Sequence, residues 1–154
     1  MVLNKSEQIK QAIAETKLKR QSQKPVVYQL KLQNLSKQKR KLLKEVFIQS
    51  KWLCNYLVAD LNRLNEPANK IEVVEVKVKD KFEQRQLSLL GSQIKQEISD
   101  RIKDNLRLLA KLKANGYEVG ALKFKRYVNS IPLKQYGVTY ELDLKRNRVR
   151  IQKL

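Results

Sequence analysis

Histidine is absent from this chain of 154 residues, and cysteine occurs once, at Cys54. These shortages exclude Cys/His zinc sites, Ser-His-Asp triads and Cys-His nucleophile pairs. Cys54 has no second cysteine for an internal disulfide, which fits a reducing compartment and predicts a cytoplasmic protein.

Glycine and proline are also scarce, at 4 and 3 residues. The glycines stand apart, so the chain has no GxxxxGK[ST] or GxGxxG loop, and side chains would have to bind any phosphate. No apolar run approaches the roughly 18 residues of a transmembrane helix, and the polar start MVLNKSEQIKQ is unlike a signal peptide. With 42% hydrophobic residues, the chain can bury one ordinary core or two small ones.

Acidic residues are the third shortage, since 15 Asp and Glu stand against 34 Lys and Arg, for a formal net charge of +19. The basic excess runs along the whole chain and is superimposed on periodic apolar residues, which indicates a folded surface rather than a tail. Such a charge predicts a polyanionic partner, above all nucleic acid. A membrane surface is the alternative, but residues 1–24 lack the bulky aromatics of a membrane-binding helix, so no membrane partner is expected.

Apolar spacing predicts the elements of the first half. Residues 5–22 favour a basic helix or arm with a thin apolar stripe. The sequence VVYQLKLQ at 26–33 alternates with a period of two, which is typical of a half-buried strand. Ser36 is a candidate N-cap for a long helix that runs to about Leu64, where Asn-Glu-Pro ends it.

The second half begins with IEVVEVKV at 71–78, whose β-branched residues predict a strand. Residues 81–90 suggest a short helical piece, and Ser92 could cap a second long helix that stops at Asn115-Gly116. Beyond it the period changes to two, which predicts strands over 122–128, 138–144 and 148–154, the last two as a hairpin around a Lys-Arg-Asn turn.

This order predicts an α+β fold. A β-module of residues 25–35 and 121–154 would be interrupted by a helical module of residues 36–120. A basic helix or arm of residues 1–24 would precede both.

Basic residues recur on separate predicted elements, which favours a wide contact with a phosphate backbone over an ordinary solvated face. The first cluster lies at a helix start, where backbone N–H groups also attract phosphate. The candidate backbone-binding residues are Lys37, Lys39, Arg40, Lys41, Lys51, Lys123, Lys125, Arg126, Lys134, Arg146, Arg148 and Arg150.

Aromatic side chains offer stacking surfaces for bases. Trp52 and Tyr56 lie one helical turn apart, although core packing is the favoured role for Trp52. Tyr127 and Tyr136 lie among basic residues of the β-segment, which is a common arrangement for holding single strands on a small barrel.

Carboxylates are the remaining catalytic candidates, as ligands of Mg²⁺. Asp100 and Asp104 share a helical face, but basic neighbours favour ordinary surface pairing. Glu141 and Asp143 share a strand face and are expected to be solvated. We therefore expect no catalytic residue, metal or cofactor in this chain.

Three stretches carry a family resemblance: SKQKRKLLKEVFIQSKWLCNYLVADLN, VKVKDKFEQRQLSLLGSQIKQEISDRIKDNL and GALKFKRYVNSIPLKQYGVTYELDLKRNRVRIQKL. In this order they resemble the N-terminal part of the TnpB/OrfB proteins of insertion-sequence transposons. These are RNA-guided DNA endonucleases related to type V CRISPR effectors. The resemblance covers about residues 26–154, whereas short motifs such as KFK are weak by themselves.

The resemblance implies an oligonucleotide-binding-like β-barrel, the wedge domain, interrupted by a helical recognition domain. It also implies guide RNA and target DNA as partners, with protein reading shape and base pairing reading sequence. By position, the motif beside the target would be contacted by Ser88, Leu89, Ser92, Gln93 and Ser130, although Ser and Leu stand where other members are more basic or aromatic. The family's RuvC-like nuclease and zinc ribbon would lie beyond Leu154, so we expect no cleavage by this chain alone and a partner nuclease half if it is a fragment.

Two other functions fit the charge. One is a structural RNA-binding protein of the ribosomal type, which matches size and composition equally well. The other is a helix-turn-helix DNA-binding regulator, but an uninterrupted helix over Ser36–Leu64 argues against that motif, which needs a turn between two short helices.

Overall fold

The computed structural model describes residues 4–24, 26–27, 29 and 31–153. These residues form three α-helices and two small antiparallel sheets, so the prediction of an α+β fold is confirmed. The chain divides into two compact units, Met1–Asn34 and Leu35–Leu154, and each is described by itself.

The first unit contains helix α1, Lys5–Gln21, which confirms the predicted basic helix. A capping box starts it: the Asn4 side chain accepts from the Glu7 amide, and the Glu7 carboxylate accepts from the Asn4 amide, both at 2.9 Å. No residue of α1 is buried. The strand predicted over 26–33 is wrong for its described residues, which pair with no strand; Tyr28 and Leu30 lie outside the described residues.

Helix α2, Lys37–Ala59, opens the second unit. Ser36 is its N-cap, as predicted, and the Ser36 hydroxyl accepts from the Lys39 amide at 3.2 Å. The α-helix ends earlier than predicted, because Asp60 has extended backbone angles and its carboxylate caps a short 3-10 helix, Leu61–Asn65. A second 3-10 helix, Ala68–Lys70, follows.

A β-hairpin comes next, formed by strands β1, Val73–Val78, and β2, Lys81–Gln86. The strand predicted at 71–78 is confirmed, but the helical piece predicted over 81–90 is wrong. Its first six residues pair antiparallel with β1, because Lys79, at φ 56°, reverses the chain in a tight turn.

Helix α3, Ser92–Ala114, is the second long helix. Its N-cap is Gly91 rather than Ser92, which is the first helical residue, so the predicted capping role of Ser92 is wrong. The predicted stop is confirmed: Asn115 is the C-cap, and Gly116 takes φ 84°, a conformation open to glycine without strain.

The hydrophobic core lies between α2, α3 and β1. Leu53 and Leu57 on α2 are fully buried, and Ile94 and Ile98 face them from α3 at helical spacing. Leu122, Ile131 and Leu133 pack against this core from the following segment. The apolar periodicity of both helices therefore identified most of the core.

Residues 117–153 contain one further hairpin, of β3, Tyr140–Asp143, and β4, Arg148–Ile151, as predicted. The strand predicted over 122–128 is wrong, because this segment pairs with no strand. Within the described residues the sheets are two separate hairpins with no closed barrel, so the oligonucleotide-binding-like barrel is not confirmed.

None of the helices that the structure describes combines the length and the apolar character needed to cross a membrane.

Candidate nucleic-acid interface

One side of α2 carries a row of lysines. Lys37, Lys41, Lys44 and Lys51 recur at spacings that return to the same side of a helix with 3.6 residues per turn. The buried residues Val46, Leu53 and Leu57 lie on the opposite side. The core therefore orients the lysine row toward solvent.

Asn55 continues this row at the same side of α2, five turns after Lys37. The Asn55 amide nitrogen donates to the Lys125 carbonyl at 3.0 Å, and the Lys125 amide donates to the Asn55 side-chain oxygen at 2.7 Å. This pair of bonds fixes the segment that carries Lys123, Lys125 and Arg126 beside the end of the lysine row. Through this contact between residues 70 positions apart, two predicted basic clusters form one surface.

We call this surface the basic ridge; its members are Lys37, Lys41, Lys44, Lys51, Lys123, Lys125 and Arg126. From Lys37 to Asn55 it spans about 27 Å, at about 1.5 Å per helical residue. All its members except the half-buried Lys51 are exposed.

Ion pairs divide the predicted backbone-binding residues into two groups. Three of them contact carboxylates: Lys134 with Glu97 at 2.6 Å, Arg150 with Glu141 at 3.2 Å, and Arg146 with Asp143 at 3.9 Å. Among the described residues, the other nine have no carboxylate within 4.0 Å: Lys37, Lys39, Arg40, Lys41, Lys51, Lys123, Lys125, Arg126 and Arg148. Of these nine predicted residues, six are members of the ridge: Lys37, Lys41, Lys51, Lys123, Lys125 and Arg126.

The third predicted cluster lies on the β3–β4 hairpin and is partly neutralised. Cross-strand pairing places Arg150 opposite Glu141 and Arg148 opposite Asp143. Lys134 precedes the hairpin, and its hydrogen bond to Glu97 raises the pKa of the Lys134 ammonium, so the pair stays charged. The hairpin offers less net positive charge than its sequence suggests.

The residues predicted to contact the target-adjacent motif are only partly brought together. Ser88, Leu89, Ser92 and Gln93 lie in and after the turn that leads into α3, where the Leu89 amide donates to the Gln49 side-chain oxygen at 2.9 Å. The Ser130 hydroxyl instead accepts from Arg101 at 3.3 Å. Arg101 follows Ser92 by nine residues, which places it on the opposite side of α3. Ser130 is therefore separated from the other four.

The predicted stacking residues also fall into two groups. Trp52 and Tyr56 are half-buried and pack against the core. The Arg63 guanidinium lies 3.9 Å from the centroid of the Tyr56 ring, and that of Arg85 lies 5.8 Å from Trp52. Tyr127 and Tyr136 are 73% and 61% exposed, although Tyr136 packs edge-to-face on Tyr140. Tyr127 retains the most open ring of the four.

The candidate carboxylates have polar partners nearby. Asp104 pairs with Arg107 at 2.8 Å, and Asp100 accepts from the Gln96 amide at 3.1 Å, which confirms the surface pairing predicted for Asp104. No group of three or more Cys, Asp or Glu side chains able to hold a metal ion occurs within the part of the chain that the structure describes.

Comparisons of the chain with protein-family models, with curated proteins and with solved structures found no match.

Three residues of this surface were missed as candidates. Lys44 shares the face of Lys37 and Lys41, so helical periodicity alone could have added it. Phe124 is 65% exposed between Lys123 and Lys125; the alternating pattern had suggested a strand there instead. Asn55 gave no signal, because its role depends on a tertiary contact.

Proposed function

We propose that this chain is the nucleic-acid-binding part of a TnpB-like RNA-guided DNA endonuclease. The basic ridge binds the phosphate backbone of the guide RNA and of its duplex with target DNA. The observation that carries the proposal is the junction at Asn55, where the lysine row of α2 meets Lys123, Lys125 and Arg126, and none of these cations has a carboxylate within 4.0 Å among the described residues.

The ridge suits a backbone partner because its charges follow a straight, rigid element. A phosphate backbone presents regularly spaced negative charges, and each Lys or Arg contact releases condensed counterions. A helix held by a buried core keeps such charges in place before binding, which lowers the ordering entropy that binding costs. The ridge therefore favours an extended polyanion over a small anionic ligand.

The resemblance over residues 26–154 supports the more specific part of the proposal. In TnpB-like proteins, a wedge and a recognition domain hold the heteroduplex by its shape, so phosphate contacts suffice and base readout is limited. We assign the core of α2, β1 and α3 to the recognition module of residues 36–120 that the resemblance implies.

The oligonucleotide-binding-like barrel of residues 25–35 and 121–154 also belongs to this proposal. It requires residues 26–33 and 122–128 to become strands on RNA binding and to pair with the β3–β4 hairpin, which pairs with no other named strand among the described residues. Amide hydrogen exchange tests it: RNA should slow exchange at 26–33, outside the basic ridge, if a barrel forms. Unchanged exchange at saturating RNA would contradict the barrel.

Charge neutralisation tests the ridge. We expect the combined variant Lys37→Gln, Lys41→Gln, Lys44→Gln and Lys51→Gln to weaken RNA binding and to reduce the slope of log affinity against log salt by about 3. The matched control neutralises four exposed lysines elsewhere: Lys70, Lys77, Lys81 and Lys113. Fluorescence anisotropy at several salt concentrations measures both, and equal losses in the two variants would contradict a role for the ridge.

Guide recognition needs a separate experiment. At fixed salt, we expect RNA from the end of the transposon that carries this gene to bind more tightly than random RNA of equal length. Equal affinities would contradict the TnpB-like assignment and leave general RNA binding. Co-sedimentation with ribosomes would then indicate the ribosomal type.

Binding without cleavage is the last part of the proposal. Incubation with Mg²⁺, guide RNA and labelled target should leave the target intact. Cuts that disappear in Asp100→Asn or Asp104→Asn would overturn this part.

A further inference from the structure

Two large aromatic side chains lie exposed within the five-residue stretch 123–127, Lys-Phe-Lys-Arg-Tyr. Phe124 is 65% exposed and Tyr127 is 73% exposed. The segment is held at both sides, since Leu122 before it and Ile131 after it pack against the core. The rings are therefore presented to solvent by an anchored segment.

The middle of this stretch is fixed as well. Both backbone polar groups of Lys125 bond to the side chain of Asn55, as a neighbouring strand would bond them. A backbone ordered in this way before binding loses little conformational freedom on binding. The chain thus keeps two apolar rings at the surface although a core lies next to them, and such exposure is typical of a contact surface.

The charges beside the rings indicate what the contact is. Among the described residues, Lys123, Lys125 and Arg126 have no carboxylate within 4.0 Å. Aromatic rings alternating with unpaired cations match a single-stranded nucleic acid, whose bases stack on rings while its phosphates contact the cations. A duplex fits poorly, because its bases already stack on each other.

We propose that Phe124 and Tyr127 form a stacking platform for unpaired bases of a single strand, with Lys123, Lys125 and Arg126 holding the adjacent phosphates. This inference rests on the proposed function. It adds that the end of the ridge at residues 123–127 binds a single strand. The two Cα atoms lie at most about 11 Å apart, since Phe124 and Tyr127 are three positions apart in the sequence. The platform therefore holds about one base on each ring.

Three probes of equal length separate base stacking from phosphate binding. They are a single-stranded oligoadenylate of about twelve nucleotides, the same length of abasic tetrahydrofuran strand, and a duplex. Wild-type protein should bind oligoadenylate at least roughly 30-fold more tightly than the abasic strand, as expected for two stacked bases that each contribute about 1 kcal/mol or more. Phe124→Leu with Tyr127→Leu should remove this preference and leave abasic and duplex binding unchanged.

The matched control is Phe82→Leu with Tyr117→Leu, because each of these rings is 64% exposed on another segment. We expect the control to retain the preference for oligoadenylate. Equal losses in control and platform variants would overturn the proposal. Circular dichroism melts should coincide for all variants, because the replaced rings are exposed.

A second readout does not depend on affinity. In Trp52→Phe with Phe124→Trp, the single tryptophan occupies the platform, and stacking should quench its fluorescence on addition of oligoadenylate but not of the abasic strand. Salt-sensitive binding without quenching or base preference would overturn the platform and leave the proposed function standing. If wild-type protein showed no salt-sensitive binding of any probe, both the platform and the proposed function would be overturned.

Discussion

At the scale of single residues, Asn55 has the largest influence on the candidate site. Its side-chain amide bonds both backbone polar groups of Lys125 and so holds the second half of the basic ridge beside α2. An amide is suited to this role because it offers a donor and an acceptor side by side.

We expect Asn55→Ala to weaken RNA binding through loss of position rather than loss of charge. Removing two partly exposed hydrogen bonds should lower the free energy of unfolding by about 1–2 kcal/mol. The salt slope should fall by about 1 to 3, since Lys123, Lys125 and Arg126 lose their fixed position. Anisotropy titrations and urea unfolding measure the two effects.

Asn105→Ala is the control, because Asn105 lies exposed on α3. It should leave RNA affinity unchanged. If Asn55→Ala kept the salt slope and the RNA affinity of the wild type, the two Asn55–Lys125 hydrogen bonds would not organise the ridge.

Cys54 lies next to Asn55 and predicts a pH dependence. Burial raises the pKa of the Cys54 thiol, and the positive charge of Lys125 partly opposes this rise. As pH increases, the unfolded chain releases the thiol proton first, at about 8.5, while the folded chain retains it. This contribution to stability is therefore complete below the unfolded pKa and is lost as pH rises toward the folded one.

Urea unfolding of wild type and Cys54→Ala, at about pH 7.5 and about pH 9.5, measures this contribution. The wild type should lose more stability than the variant over this interval. Identical losses would mean that the thiol titrates at its ordinary pKa in the folded chain.

At the scale of elements, α2 combines two functions on opposite sides. The buried side, with Leu53 and Leu57, fixes the helix, and the lysine side forms the ridge. The first turns contribute nothing to the core, since Val46 is the first buried residue of the helix. The start of the lysine row therefore depends on local helix stability.

Ser36→Ala tests that dependence. Loss of the cap on the Lys39 amide should cost about 1 kcal/mol and fray the first turn, where Lys37 lies. We expect slightly lower helix content by circular dichroism and a modest loss of RNA affinity. Ser36→Asn retains a capping side chain without adding charge and should restore both; a failure to restore affinity would implicate the serine hydroxyl directly.

The helices and strands show where sequence patterns were sufficient to predict secondary structure and where they were not. The spacing of apolar residues in α2 and α3 identified both helices, because burial repeats every turn of a long amphipathic helix. Residues 81–86 were predicted as helical, because their composition has no strong strand signal; pairing with β1 made them a strand. Residues 122–128 show the converse. Their alternation predicted a strand, but the Asn55 side chain, rather than a neighbouring strand, forms the hydrogen bonds to the Lys125 backbone.

At the scale of the whole molecule, all described residues of the core belong to the second unit. Every residue of the hydrophobic cluster lies between Val46 and Ile102, and the residues packed against it extend to Leu133. Helix α1 of the first unit buries none of its own residues. The two units therefore differ in what stabilises them.

We expect residues 35–154 to fold without residues 1–34. The urea midpoint of the shortened chain should match that of the full chain, because none of the described residues within 1–34 belongs to the core. RNA binding should persist with a smaller salt slope, since basic residues of α1 are lost. A large decrease in the midpoint would show that the first unit stabilises the second.

The sequence by itself determined the α+β class, both long helices, the hairpin at the end of the chain and a strongly positive surface. These follow from composition and from periodicities that each element carries within itself. Only the tertiary structure decided which basic residues lie side by side, because Glu97 pairs with Lys134, whereas Asn55 joins Lys125 to the lysines of α2. Such contacts link residues far apart in the chain, and local patterns contain no information about them.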